Sequence, residues 1–248
     1  MSLVLEAENL SKQFGVKEAV KNAGFCVDSN EIFALIGPNG AGKSTTIRMV
    51  ATILAPTSGT ARVNGFDVVK DAQKVRESIS YLPEEAGAYK NMTGRQYLDF
   101  MAVVYTDNRT KQKEYVSRAE GISNLGHRLK DKIATYSKGM SRKLLLSRAL
   151  MAKPKLAILD EPTSGLDLIS GLEIRKIIKE YAKSGMAVLL SSHNMLEIEF
   201  LSDRVAIMEG GKIFETGTSQ ELKSKYQAAN LEEVFIKITR LAAPDKQK

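Results

Sequence analysis

Residues 32–45 read "IFALIGPNGAGKST", and this segment constrains the chain more than any other. Ile32 to Ile36 form an unbroken apolar run, the length and continuity of a strand buried on both faces of a parallel sheet. The loop that follows, Gly37, Pro38, Asn39, Gly40, Ala41, Gly42, Lys43, Ser44 and Thr45, matches G-x-x-x-x-G-K-[ST] in Gly37, Gly42, Lys43 and Ser44. Glycines let backbone N–H groups curl around phosphate oxygens with no Cβ in the way. Lys43 is placed to reach β- and γ-phosphates, and the Ser44 hydroxyl to reach Mg²⁺. A helix starting there turns its positive end toward the same phosphates. Strand before and helix after are the context such a loop requires.

Two more runs of strand length, "LAILD" (156–160) and "AVLLSS" (187–192), are each followed by a helical pattern, and this alternation specifies an α/β fold. The first thirty residues differ: "LVLEAENLSKQF" and "GFCVDS" alternate apolar and polar residues, as antiparallel strands with one wet face do. Between about Met92 and Lys153 the strand signal disappears. Thr93 and Gln96 form a capping box ahead of "YLDFMAVVY", and after the polar turn "TDNRTK" a second helical stretch runs to about Leu125. The expected architecture is therefore a mostly parallel sheet with an N-terminal antiparallel β subdomain and a helical subdomain, about 85–154, inserted in the core. "AIMEGGKIFETG" predicts a hairpin turning at Gly210-Gly211; "LEEVFIKITRL" predicts a last amphipathic helix, and the polar end "AAPDKQK" is expected to fray.

Asp160 and Glu161 end the second apolar run, where an acidic residue suits Mg²⁺ in a P-loop nucleotide hydrolase. No Asn-Lys-x-Asp stretch for guanine recognition is present, which argues against a GTPase; a small-molecule kinase stays open on these two motifs alone. A third feature is "ATYSKGMSRKLLLSRALMAKP" (134–154). Its apolar residues recur at helical spacing from Lys138, Ser137 stands at the N-cap, and Pro154 ends the pattern. Gly139 in the first turn costs helix stability, and Lys138 and Arg142 crowd the same end. A glycine-containing, basic helix start rich in free N–H groups suits an anion.

The bulk composition, 43% hydrophobic and 26% charged, is that of an ordinary globular chain, and no apolar run approaches the ~20 residues of a membrane span. Cys26 is the sole cysteine, so no internal disulfide forms, and the N-terminal "MSLVLEAENL" lacks the form of a signal peptide; a cytoplasmic location is expected. The net charge of +7 reads as dispersed solvated charge, with no aromatic residues interleaved in the densest basic stretch, Arg109 to Lys113, so no nucleic-acid partner is expected.

With these motifs in order, the chain resembles the nucleotide-binding subunit of an ATP-binding cassette (ABC) transporter, from about Leu3 to Tyr226. The resemblance implies a cassette over 1–226 followed by a C-terminal helix and tail over 227–248. It implies that Phe14 stacks on adenine, that Asp160 is a partner of Mg²⁺, that Glu161 is the general base for the attacking water, and that His193 contacts the γ-phosphate and orients that water. His127 is given no such role. "SGLD", ending in Asp167, looks like the loop that communicates across a dimer interface. "YSKGM" (136–140) stands where the family carries Leu-Ser-Gly-Gly-Gln, which implies that Ser137, Lys138 and Gly139 meet the γ-phosphate of ATP held by an opposite subunit, packed head to tail.

Three positions depart from the family pattern: Lys138 for glycine, Met140 for glutamine, and Glu84 for the Q-loop glutamine that meets Mg²⁺ or water. Charge compensation between Lys138 and Glu84 across the dimer interface is one expectation. "LPEE", "YSKGM" and "LEEVFIKIT" resemble the ABC-2-type exporter branch, which includes sodium and drug efflux systems. The implied function is ATP hydrolysis with Mg²⁺ that drives transport, in the export direction, through a separate membrane permease whose coupling helix meets the segment from Glu84 to about Thr93. The subunit would sit on the cytoplasmic face of the membrane. The alternatives are a non-transport ABC ATPase and a regulatory ATP-binding module without turnover.

Overall fold

The structure, a computed structural model, describes residues 2–242. Strands β1 (Leu3–Phe14) and β2 (Lys17–Asp28) pair antiparallel, as their alternating pattern requires. They are joined by β4 (Ser58–Val63) and β5 (Phe66–Asp67) in a four-stranded sheet of order β2-β1-β4-β5. The second sheet contains β3 (Ile32–Ile36), β6 (Ile79–Leu82), β7 (Leu156–Asp160), β8 (Ala187–Ser192), β9 (Arg204–Glu209) and β10 (Lys212–Gly217), in the order β10-β9-β3-β8-β7-β6. All neighbours in it are parallel except β10, which returns antiparallel on β9 through the Gly210-Gly211 turn.

The three uninterrupted apolar runs are explained by burial on both faces. Ile32, Ala34 and Ile36 point into one hydrophobic core with Ala157, Leu159, Val188 and Leu190. Phe33 and Leu35 point into a second core with Leu156, Ile158, Ala187 and Leu189, closed by the antiparallel sheet and by α1 (Lys43–Val50). A strand covered on both sides has no wet face to alternate toward. The first core is covered by α5 (Lys138–Leu150), α6 (Leu168–Lys183) and α7 (Met195–Leu201). The short helix α2 (Ala72–Ser78) leads into β6.

Between β6 and β7 the chain forms α3 (Gly94–Tyr105), α4 (Arg109–Ser123) and α5. The Thr93–Gln96 capping box is present in both directions, and Asn108 caps α4. After β10 come α8 (Ser219–Tyr226) and α9 (Leu231–Ala242). Leu231, Val234 and Ile238 are buried in the first core, so α9 is bonded into the main body by its apolar stripe. The end of the chain expected to fray, residues 243–248, lies outside the described residues. No helix among the described residues is long and apolar enough to cross a membrane.

The order β3-β8-β7-β6 positions the site. Four parallel strands end at one edge, and from it emerge in turn the Gly37–Thr45 loop, His193, the Asp160-Glu161 pair and Glu84. Open parallel sheets bind ligands at this carboxyl edge. Strands β4, β5 and β6 have no counterpart in the sequence reading; they are short and half exposed, with no apolar run to mark them.

Candidate functional site

The glycines of the 37–45 loop serve two different needs. Gly37 has φ 157°, and a Cβ there would lie 2.0 Å from the Met208 carbonyl oxygen; Gly42 has φ 106°, and its Cβ would lie 2.6 Å from the Ala19 carbonyl oxygen. Both positions are closed to a side chain by backbone. Gly40, φ 82°, faces open space, so only its dihedral angle asks for glycine. The loop thus runs hard against β9 and β2, and its own backbone is bent outward.

Lys43 is buried at the base of this loop. Its Nζ donates to the carbonyl oxygens of Gly37 (2.7 Å) and Pro38 (3.1 Å) and lies 3.7 Å from Glu161 Oε1. Burial pushes the ammonium below the ordinary lysine value, and the charges of Glu161, Asp160 and Glu84 oppose that shift. Phe14, Lys17, Glu84 and Glu161 border one cleft of about 270 Å³, together with residues 39–45 of the loop. Phe14 is half exposed there, with the Lys12 ammonium 5.4 Å from its ring centre.

The acidic edge is tightly organised. Ser44 Oγ donates to Asp160 Oδ1 at 3.1 Å, and Ser191 Oγ donates to the same oxygen at 2.5 Å. The Ser191 hydroxyl also accepts from the Glu161 backbone N–H at 3.1 Å. Glu161 sits in the left-handed region at φ 48°, rare for a side-chain-bearing residue, and that turn aims its buried carboxylate at the cleft. Its two oxygens have different neighbours: Oε1 faces Lys43, and Oε2 lies 2.9 Å from His193 Nδ1. The sequence reading assigned nothing to Ser191. Its signal was a serine pair ending an apolar strand, opposite Asp160 in the β7–β8 register.

The "YSKGM" segment is not part of this cleft in its own chain. Ser137 caps α5, accepting from the Met140 N–H at 3.1 Å. Gly139 approaches α6 so closely that a Cβ would lie 2.3 Å from Ser170 Oγ, and the Lys138 Nζ would lie 2.1 Å from a Cβ on Gly165. Asp167 caps α6, accepting from the Ser170 N–H (3.0 Å) and hydroxyl (2.7 Å), bonds that hold its carboxyl below the usual range. The start of α5 and the 164–167 loop are therefore one packed unit.

Glu84 accepts from Ser164 Oγ at 3.4 Å through its side chain, while its main-chain carbonyl accepts from Arg142 Nη2 at 3.0 Å. Within the chain the cations that feel the Glu84 charge include Arg142 and Lys43, whereas Lys138 lies on Gly165. A further set, Thr163, Glu197 and Arg175, ties the loop after Glu161 to α7; Thr163 Oγ1 donates to Glu197 at 3.1 Å and Arg175 pairs with the same carboxylate.

No group of three His, Cys, Asp or Glu side chains fit for a metal occurs among the described residues. The donor set at Ser44 and Asp160 is instead one hydroxyl and one carboxylate, hard oxygens that suit a Mg²⁺ completing its octahedron with phosphate oxygens and water. The residues fit that ion.

A glycine-lined loop between a buried parallel strand and a helix, with a buried lysine and an acidic strand end beside it, defines a P-loop nucleotide-hydrolase fold. Residues 20–164 match the family model described as ABC transporter, and the chain belongs to that family as an ATP-binding, ATPase subunit. It is 38% identical over 222 residues to the linearmycin resistance ATP-binding protein LnrL of Bacillus subtilis, covering 90% of this chain and 71% of that one. It is 36% identical over 220 residues to the daunorubicin/doxorubicin resistance ATP-binding protein DrrA of Streptomyces peucetius, covering 89% and 67%. A solved structure described as the ATP-binding subunit of an ABC transporter superposes with a TM-score of 0.84 at 29% identity, covering 95% of this chain and 99% of that one.

Proposed function

We propose that this chain is the motor of an exporter: it binds ATP with Mg²⁺ at the Gly37–Thr45 loop, hydrolyses it in a head-to-tail dimer, and drives a separate membrane permease from the cytoplasmic face of the membrane. The observation that carries the chemistry is the geometry of Glu161, whose carboxylate has Lys43 at one oxygen and His193 at the other. In this reading Lys43 and the loop N–H groups hold the β- and γ-phosphates. Ser44 and Asp160 are the oxygen ligands for Mg²⁺, which supplies charge neutralisation at those phosphates. Glu161 accepts the proton of the attacking water, and His193 holds the Glu161 carboxylate through Nδ1 and faces the γ-phosphate with Nε2. Phe14 stacks on adenine, and Glu84 reaches Mg²⁺ or its water.

Ser137, Lys138 and Gly139 serve the nucleotide of the opposite subunit, and Asp167 lies at that junction. Gly139 packs on Ser170 and Lys138 on Gly165, and none of these residues borders the chain's own cleft, which supports this assignment. The cassette spans 1–226 with its helical insertion at about 85–154, and 227–248 is the terminal segment. Export is favoured because LnrL and DrrA are named for resistance to linearmycin and to daunorubicin/doxorubicin. Steady-state ATPase assays of the wild type and of Glu161→Gln test the reading: turnover in the first and its loss in the second are expected, and wild-type turnover in Glu161→Gln overturns the base assignment.

A further inference from the structure

Arg142 is 7% exposed, yet among the described residues its guanidinium makes one hydrogen bond, from Nη2 to the main-chain oxygen of Glu84, 58 residues earlier in the chain. Nη1 is buried without a partner among the described residues. Burial pushes this group below the ordinary arginine value, and the charge that opposes the shift is that of Glu84. A guanidinium in such a place is costly, because a buried charge with few partners loses more hydration than it regains. An apolar side chain of similar length would serve the core better, so the position asks for a functional reason.

That reason lies at the other end of the bond. The segment after β6 leaves the sheet edge at Leu82 and next meets a helix at Gly94, and the residues between have no regular structure of their own. Glu84 is exposed at its start, and its carboxylate borders the phosphate cleft and reaches Ser164. The Arg142 bond is directed at the main chain of this residue, so it fixes where the carboxylate begins, and a charged donor is about twice as strong as a neutral one. Arg142 also stands five residues after Ser137 on α5. One side chain thus connects the helix that starts at the "YSKGM" segment with the loop that borders the chain's own phosphate site.

We infer that Arg142 is a positioning residue for Glu84: it holds the 83–88 loop through the Glu84 main chain, keeps the carboxylate in the phosphate cleft, and does so at the expense of fold stability. The structural half of this inference stands without any nucleotide. Its catalytic half rests on the ATPase reading above. The two are separated by measuring amide hydrogen exchange in the nucleotide-free protein and ATPase kinetics in the same variants, wild type, Arg142→Met, Arg142→Lys, Glu84→Ala, and Arg142→Met/Glu84→Ala.

Arg142→Met is expected to speed exchange in residues 83–88 about tenfold, the loss of one charge-assisted bond. Exchange in α3 should not change, and the melting temperature should hold or rise by a few degrees, because the poorly partnered buried charge is gone. Its kcat should fall about tenfold with KM for ATP changed less than about twofold, and Arg142→Lys should recover most of both effects. Glu84→Ala should lower kcat in the wild type and add little in the Arg142→Met background, because both act through one side chain. Unchanged exchange in 83–88 overturns the inference, as does a large drop in melting temperature with kcat intact, or fully multiplicative effects of the two substitutions. Absence of turnover in the wild type would refute the ATPase reading and leave the exchange result to decide the loop's anchor.

Discussion

His193 Nδ1 lies 2.9 Å from Glu161 Oε2, while Lys43 Nζ lies 3.7 Å from Glu161 Oε1. The carboxylate is therefore held from both sides, on a backbone turn at φ 48° that few residues adopt. A group fixed this way is prepared for one direction of proton transfer. Glu161→Gln keeps the shape and removes the proposed base, so ATP binding should persist while turnover falls by about 10²–10⁴. Nucleotide titration and single-turnover hydrolysis of the same protein check both halves.

Ser191 carries more than its size indicates. Its hydroxyl bonds Asp160 and receives the Glu161 N–H, so Ser191→Ala leaves a buried N–H and a carboxylate oxygen each short of a partner. The expected loss is about 1–3 kcal/mol of stability. Turnover should fall more than ATP affinity, because the Glu161 turn loosens while the Gly37–Thr45 loop is untouched. Chemical denaturation and a kcat/KM comparison test this.

The glycines separate in the same manner. Gly37→Ala must push the Met208 carbonyl aside, and no flexible side chain can yield there. It should fail to bind ATP and melt well below the wild type. Gly40→Ala meets open space and bears only the left-handed penalty, about 1–2 kcal/mol. Melting curves with and without ATP should rank the two clearly.

Lys43 is a buried charge whose desolvation outweighs its attractions in the folded protein. Lys43→Met removes the cation proposed to hold the phosphates, so productive ATP binding should be lost. Fold stability should fall as well, by about 3–5 kcal/mol, since removing one member of a buried pair leaves the Glu161 carboxylate and the Gly37 and Pro38 carbonyls without their cation. Unchanged stability would mean that the two loop carbonyls and the Glu161 carboxylate find other partners once Lys43 is gone.

These residues differ in how far the sequence announces them. The 37–45 loop, β3, β7 and β8 are legible because local pattern and final environment agree: two covered faces give an unbroken apolar run. The capping box at Thr93 and the cap at Ser137 are equally local. Strand β6 is not legible, since four residues with one half-exposed face give too little pattern, and it becomes a strand by pairing with β7 some 77 residues later. Ser191 was visible as a residue type only, and Arg142 reads in the sequence as one of the basic residues at the start of α5, whereas its guanidinium is buried on the Glu84 carbonyl. Their partners lie 31 and 58 residues away, and tertiary pairing alone gives a hydroxyl or a guanidinium its role.

The trans assignment of Ser137 gives the sharpest remaining test. Within its own chain Ser137 does one measurable thing: it caps α5 through the Met140 N–H. Losing that cap costs about 0.5–2 kcal/mol, so Ser137→Ala should lower stability slightly. Ser137→Arg loses the same cap and adds bulk and charge at the helix start, where no residue of its own phosphate cleft is touched. If the segment meets only its own chain, the two variants should behave alike in every assay. If it meets the phosphate of an opposite subunit, Ser137→Arg alone should block association. Light scattering of the Glu161→Gln protein with ATP should then shift from monomer to dimer mass, Ser137→Ala in that background should shift in part, and Ser137→Arg should remain monomeric with ATP still bound at its own Lys43.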